Sequence, residues 1–422
     1  MSLTMMEAHG TYVPVRLDAE RWATRRIHRK LLVAVHTVTT GKRLLDAVRL
    51  LEGDPRIQVF FTPAPDVFSN GVEDFLEDLN GLVLPWSQAV QTRFDLALAA
   101  SHGSLHELHA PVIVLPHGAG HNKIVPAGRR GRPVGERGAY GFSRQRLVRD
   151  GAVIPEAIVL AHQEELTRLG RECPEALPVA EVVGDPCFDR IAASLPSRAL
   201  YREAVRVRAR QQLVLFCSTW GSKSILGQSW ELLERLVREL PGDEYRVALL
   251  LHPNVWNAHG EWQVLSWLAA LGRSGLTVIS QYADWVGALA AADYVVGDHG
   301  SVTLYGAMTG VPVLMAGLPE EVLDPASPLA ELSSFVPRLG LREGRPLRQQ
   351  LSRSSTAYRP QRYERIAARI TSEPGQFAQK MRALIYRKLR LRSPAVRIAA
   401  EPAPVPLTVR YDEPGGVVSW RS

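Results

Sequence analysis

Residues 291–314, AADYVVGDHGSVTLYGAMTGVPVL, read as a strand, a tight polar turn, a helix and a second buried strand. Residues 294–296 are short, apolar and β-rich, and Gly297, Asp298, His299 and Gly300 form the turn. Ser301 stands where a helix N-cap belongs, and Thr309 and Gly310 end the helix before the strand that begins at Val311. A glycine-containing turn that feeds a helix N-terminus offers unpaired backbone N–H groups and the positive end of the helix dipole, which suits a phosphate or diphosphate. Without a ligand the same unit is an ordinary βαβ turn, and this segment alone leaves both readings open.

The alternation extends along most of the chain. Strands are expected at residues 31–36, 57–61, 94–100, 112–115, 158–161 and 181–183, with a helix at 42–51. A second series of strands follows at 213–217, 245–251, 276–279, 294–296 and 311–315, with helices at 230–239 and 261–271 between them. Strands alternating with helices predict parallel sheets covered on both faces. Two such series predict an α/β protein of two Rossmann-like lobes with a cleft between them. The expected divisions are an extension at 1–28, a first lobe at 29–200, a second at 201–350, helices at 351–393 and a Pro-rich, poorly ordered tail at 394–422. Residues 129–146, rich in Gly and Arg, read as a loop over the cleft, mobile without ligand. Residues 377–392 place Met381, Leu384, Ile385 and Leu389 near one face among basic residues. They read first as a surface helix on the core, and second as a contact for anionic lipid head groups.

A chain of 422 residues exceeds one hydrophobic core. Its 46% hydrophobic and 22% charged content is that of an ordinary globular protein. No apolar run reaches the roughly 18 residues of a membrane span, and the start lacks the pattern of a signal peptide. Three cysteines without a CxxC pair speak against a disulfide framework or a zinc site and for a reducing cytoplasm. The net charge of +7 suits an anionic partner. With no helix-turn-helix, zinc-finger or RNA-binding signature, nucleic acid is not expected.

Ligands of open α/β sheets bind outside the carboxyl ends of the strands. Five polar or glycine-bearing segments fall there: PHGAGHNK from Pro116, GDPCFDR from Gly184, STWGSK from Ser218, LHPN from Leu251, and GDHGS from Gly297. His117 can act as a general base or cap its own turn. Gly118 lets substrate approach, and His121 and Lys123 add basic groups suited to an anionic acceptor or ligand. His252 can donate to a phosphate or cap a turn. Ser218 and Thr219 offer hydroxyls after a strand. Asp298, His299, Gly300, Ser301 and Val302 form the candidate diphosphate turn. No third ligand joins His117 and His121 at metal-site spacing, so no metal or cofactor is expected. GxxxxGK[ST], GxGxxG and GxSxG motifs are all absent from the sequence.

In this order the segments resemble the CDP-glycerol glycerophosphotransferase family of teichoic-acid polymerases and primases, within the GT-B glycosyltransferase superfamily. The family's HG, GxP…D, PT-type loop, HP and DYSS segments are matched by His117-Gly118, Gly184-Asp185-Pro186 with Asp189, Ser218-Thr219-Trp220, His252-Pro253 and Asp298-His299-Gly300-Ser301, across residues 112–314. The resemblance implies a GT-B fold whose C-terminal helix crosses back to the first lobe. It also implies His117 as the base that deprotonates an acceptor hydroxyl, and His252 and Ser301 as holders of the donor diphosphate. It implies a bacterial, cytoplasmic transferase at the inner face of the membrane, with a nucleotide-diphosphate donor, a hydroxyl or lipid-linked acceptor and no metal. DYSS is DHGS here, Ser218 replaces the Pro of the PT loop, and Tyr305 stands where the family often has an acidic residue. These departures leave the donor open. Two alternatives share the fold: a UDP-sugar 2-epimerase-like enzyme, for which Asp95 is an available acid, and a non-catalytic nucleotide-binding scaffold.

Overall fold

The computed structural model describes residues 24–124, 138–317, 322–340, 344–396 and 398–411. The strands in chain order are β1 (Arg29–Val35), β2 (Ile57–Pro63), β3 (Leu82–Val83), β4 (Leu96–Ala99), β5 (Val112–Val114), β6 (Val148–Arg149), β7 (Ala152–Val153), β8 (Ala157–Leu160) and β9 (Ala180–Val182). They continue with β10 (Gln212–Ser218), β11 (Tyr245–Leu251), β12 (Thr277–Ile279), β13 (Tyr294–Gly297), β14 (Val313–Met315) and β15 (Thr408–Val409). Apart from the β6–β7 hairpin they form two sheets, ordered β3-β2-β1-β4-β5-β8-β9 and β14-β13-β10-β11-β12-β15. Every pairing in these sheets is parallel except β12 with β15.

Each sheet reverses its order once, between β1 and β4 in the first and between β10 and β13 in the second. At such a point the crossover helices leave on opposite faces, and a crevice opens beyond the strand ends. Leu31–Val35, Leu96–Ala99, Leu213–Ser218 and Tyr294–Gly297 are all buried, the continuous apolar signature of strands covered on both faces.

The lobes meet through a shared core. Cys187 and Ile191, on the helix Pro186–Ser194, and Tyr201, on the helix Arg198–Ala204, pack with Val286, Ala288 and Leu289 of the second lobe. The helix Phe377–Lys388 crosses back and buries Phe377, Met381, Leu384 and Ile385 with Leu31, Val33 and Leu98 of the first sheet. Its cations are largely engaged: Arg387 pairs with Glu181, Lys388 with Glu156 and Lys380 with Glu373, and Arg382 is buried. It is a packed helix, as its apolar face predicts.

Several expectations shift. The first helix starts at Val38 rather than Lys42, because Thr37 and Thr40 close a reciprocal capping box ahead of it. The tail is anchored as far as residue 411: Tyr201 donates to the Ala403 carbonyl at 2.7 Å, and β15 adds an antiparallel edge to β12. A proline-rich run lacks local order of its own, but its backbone can still complete an exposed sheet edge. Of the expected cleft loop, residues 125–137 lie outside the described residues. Among the described residues, no helix is long and apolar enough to cross a membrane.

Candidate active site

The carboxyl ends of β1, β4 and β5 face those of β10, β11 and β13 across the lobe boundary. Gly118 and Ser301 touch directly. A Cβ on Gly118 would stand 2.5 Å from the Ser301 hydroxyl oxygen, and that oxygen accepts the Ala119 N–H at 3.2 Å. Lys42 donates to the Gln281 carbonyl at 3.0 Å, and Phe68 and Trp220 meet edge to face at 4.5 Å. Deeper in, buried Arg43 donates to the Gly118 carbonyl at 3.1 Å and lies 3.7 Å from Asp185. Tyr305 donates to Asp185 at 2.7 Å, so the tyrosine in place of an acid contributes to a tie between the lobes.

His117 follows β5. Its Nδ1 lies 3.1 Å from the Ala100 carbonyl oxygen. A carbonyl only accepts, so Nδ1 carries the proton and Nε2 keeps a free lone pair. The residue is exposed although protein surrounds it, as expected of a group inside a cleft. That enclosure, with Lys123, Arg43 and His121 nearby, pulls its pKa down to about 4, against a smaller upward pull from the Ala100 carbonyl. Lys123 is likewise exposed within protein walls, which lower its pKa, with Asp298 opposing. Lys42 is lowered by burial against a counter-pull from Asp284.

His252 caps the helix Pro253–His259 by accepting the Asn254 N–H on Nδ1 at 3.1 Å. The neutral ring therefore presents Nε2–H as a donor. Burial, then Lys123, His117 and Lys42, push its pKa down to about 3. The capping and binding readings use different nitrogens and do not compete.

The GDHGS turn is organised from within. The buried Asp298 accepts Thr219 N at 2.9 Å, Thr219 Oγ1 at 2.7 Å and Ile225 N at 3.1 Å on one oxygen, and Gly300 N at 3.1 Å on the other. Ser218 donates to the Thr219 carbonyl at 3.0 Å and accepts Leu226 N at 3.3 Å. Asp298 thus lashes the loop after β10 to the loop after β13, and Ser218 braces the first of these loops from within. Gly300, not Ser301, is the N-cap of the helix Ser301–Tyr305, and this leaves the Ser301 hydroxyl to reach the other lobe. The first-turn N–H groups, including those of Ser301 and Val302, have no acceptor within the helix. His299 is buried, its pKa lowered to about 4 by burial and then by Lys123, and its Nδ1 has no partner among the described residues.

His121 lies deeper in the first lobe, 2.8 Å from Glu165, which also accepts the N–H groups of His121 and Ala161. Burial alone would raise Glu165, but His121 and these donors bring it down to about 2. Among the described residues, no group of three or more His, Cys, Asp or Glu could hold a metal ion.

The structure thus gathers His117, Gly118, Lys123, His252, His299, Gly300 and Ser301 around one cleft, commits Ser218, Thr219 and Asp298 to shaping it, and holds His121 behind it on Glu165. Sequence reasoning did not single out Lys42, Arg43 or Glu165. Lys42 and Arg43 fall in the first turns after β1, so the strand-end rule applied to T-V-T-T-G-K-R would have flagged both.

No family model matches the chain, and no curated protein matches it. Solved structures do. The wall teichoic acid polymerase TagF superposes with a TM-score of 0.57 at 13% identity, over 86% of this chain and 89% of that one. A variant of it soaked with CDPG gives 0.57 at 14% identity, over 86% and 90%. Anabaena Alr3699/HepE, in complex with UDP and glucose, covers 86% of this chain and all of its own at 14% identity, with a TM-score of 0.45. The two parallel sheets, the crossing C-terminal helix and the likeness to TagF together establish that this chain has the two-lobed GT-B fold.

Proposed function

We propose that the protein transfers a glycosyl or glycerophosphoryl group from a nucleotide-diphosphate-activated donor to a hydroxyl acceptor held in the interlobe cleft. One observation carries this reading. A neutral imidazole with a free Nε2 stands on one lobe, with Lys42 and Lys123 on the same side of the cleft, opposite a helix N-terminus and an Nε2–H donor on the other lobe. In the reaction, His117 Nε2 takes the proton of the acceptor hydroxyl. The acceptor oxygen then bonds to the transferred group. The bond from that group to the nucleotide phosphate breaks, and its electron pair leaves with the nucleotide. His252 Nε2–H, Lys123 and the N–H groups at Ser301 and Val302 receive the charge that develops on the leaving phosphate. Likeness to TagF and the basic cleft support a phosphate-bearing donor. A lipid-linked acceptor in cell-surface polymer or glycoconjugate synthesis, used at the cytoplasmic face of a membrane, belongs to the same proposal.

The epimerase alternative needs an acid in the first lobe's half of the cleft. Asp95 precedes β4, at the amino ends of the strands, and binds Lys30 N at 2.7 Å. It lies at the wrong end of the sheet for that role.

The deciding experiment measures nucleotide release with and without acceptor across a panel of CDP-, UDP-, GDP-, ADP- and TDP-activated donors, first for the native chain and then for His117→Ala. Release that needs acceptor, falling by about 10²–10⁴-fold in the variant with donor affinity unchanged, is expected. Acceptor-independent release would favour an epimerase, and binding without turnover a scaffold. Near-native turnover of folded His117→Ala would remove the base assignment.

A further inference from the structure

The opposite end of the second sheet carries a cluster of arginines that the cleft does not use. Arg206 and Arg208 lie in the turn before β10, Arg246 is the second residue of β11, Arg273 ends the helix Glu261–Arg273, and Arg410 follows β15. Two adjoining hollows open here, of about 660 and 370 Å³, and both are lined by Arg206 and Arg246. They form one groove. The carboxyl ends of β10 and β11, where the cleft lies, are a full strand away, roughly 20 Å.

The charge in this groove is unbalanced. Among the described residues that line it, Glu203 is the one carboxylate, and Arg202 is already engaged by Asp293. Among the described residues, Arg206, Arg208, Arg246, Arg273 and Arg410 have no carboxylate within ion-pair distance. Arg246 donates to the Gly275 carbonyl at 3.3 Å, yet its buried Nε has no partner among the described residues. Burial, with Arg208 and Arg206 close by, holds it below the ordinary arginine range. Arg206 adopts a φ of 58° at the end of its helix, where glycine is the usual residue. The fold thus brings repelling guanidinium groups together around a hollow large enough for a ligand.

We propose that this groove binds a chain of linked phosphate groups, at a site separate from the interlobe cleft. Guanidinium groups present paired donors that match phosphate oxygens. Two adjoining hollows sharing two arginines suit successive phosphates better than one. Thr277 and Thr408 line the second hollow and add hydroxyl donors. The inference does not depend on the transferase reading.

The test is calorimetric titration of the full chain with inorganic tripolyphosphate and with inorganic monophosphate at fixed salt, since phosphate contacts weaken as salt rises. The variants are R206A/R208A, two exposed positions where truncation spares the core, and the cleft variant K123A/H252A. Binding of tripolyphosphate should weaken at least tenfold in the groove variant and persist in the cleft variant. Monophosphate should bind at least tenfold more weakly than tripolyphosphate. Native affinity in the groove variant, or loss of binding in the cleft variant alone, overturns the proposal. Sedimentation with phosphatidylglycerol vesicles separates the other source of phosphate. Vesicle binding lost in R206A/R208A, with no tripolyphosphate binding by the native chain, would replace linked phosphates by a lipid surface and overturn the assignment. Turnover of donor is read in parallel, and its failure would concern the cleft alone.

Discussion

Asp298→Ala tests the idea that the donor loops are held in shape from below. The carboxylate is 1% exposed and accepts four donors, three of them backbone N–H groups from two different loops. A hydrogen bond to a charged group contributes roughly 1.5–3 kcal/mol, so a simple sum would reach about 6–12 kcal/mol. That sum is an upper bound: bonds sharing one acceptor are not additive, and the cleft lets water replace part of what is lost. The expected loss is therefore about 3–5 kcal/mol, a large share of an ordinary stability of about 5–15 kcal/mol but compatible with folding. Asp298→Asn keeps one acceptor oxygen and should lose about half as much, because its amide must face either the Thr219–Ile225 donors or Gly300 N. Urea unfolding measures the change from the midpoint shift at constant slope. Nucleotide affinity should fall alongside stability, since Thr219 and Gly300 are no longer tied together. A loss under about 1 kcal/mol with native nucleotide affinity would show that the loops keep their shape unaided, and the reasoning would fail.

Gly118→Ala places a methyl group 2.5 Å from the Ser301 hydroxyl oxygen and should cost about 1–3 kcal/mol by overpacking. The cost should largely vanish in a Ser301→Ala background, where the nearest remaining atom is 3.5 Å away, and additive losses in a double-mutant cycle would contradict the contact. Stability should also decline on acidification. His252 titrates at about 3 and His299 at about 4, and His102, enclosed by protein near His121, at about 3, against 6.5 when unfolded. The unfolded chain thus binds more protons between these values, and stability present above pH 6.5 is lost as pH falls towards 4. Glu165, at about 2 against 4.5, extends the loss below pH 4.5. A urea midpoint that stays flat from pH 7 to pH 4 would show that these groups are not held as described.

The sheets were legible because parallel strands buried on both faces write continuous apolar runs, and the polar strand ends then located the cleft. The positions of His117, His252 and GDHGS follow from that rule alone. Their bonding does not. Whether Ser301 or its neighbour caps a helix depends on the φ and ψ of Gly300, which a sequence does not display. Glu165 stands far from His121 along the chain and meets it only because β8 lies beside β5. Lys42 and Arg43 look like ordinary helix-surface cations until the second lobe closes over them. Apolar pattern thus reports the sheets directly, while side-chain partners depend on which elements the topology makes neighbours.

The charges of the cleft set an order for the proposed reaction. Lys123, Lys42 and the neutral imidazoles face one another, with Asp298 as the counter-charge of Lys123 and Asp284 as that of Lys42. A histidine titrating at about 4 is a weak base at neutral pH, because base catalysis works best when the pKa lies near the working pH. A donor diphosphate would bring negative charge close to the same cations that depress His117. Opposite charge stabilises the protonated form, so the pKa of His117 should rise on donor binding. On the proposed reading, the base would strengthen only with the electrophile in place, and an acceptor hydroxyl meeting the empty cleft would find an imidazole too weak to deprotonate it.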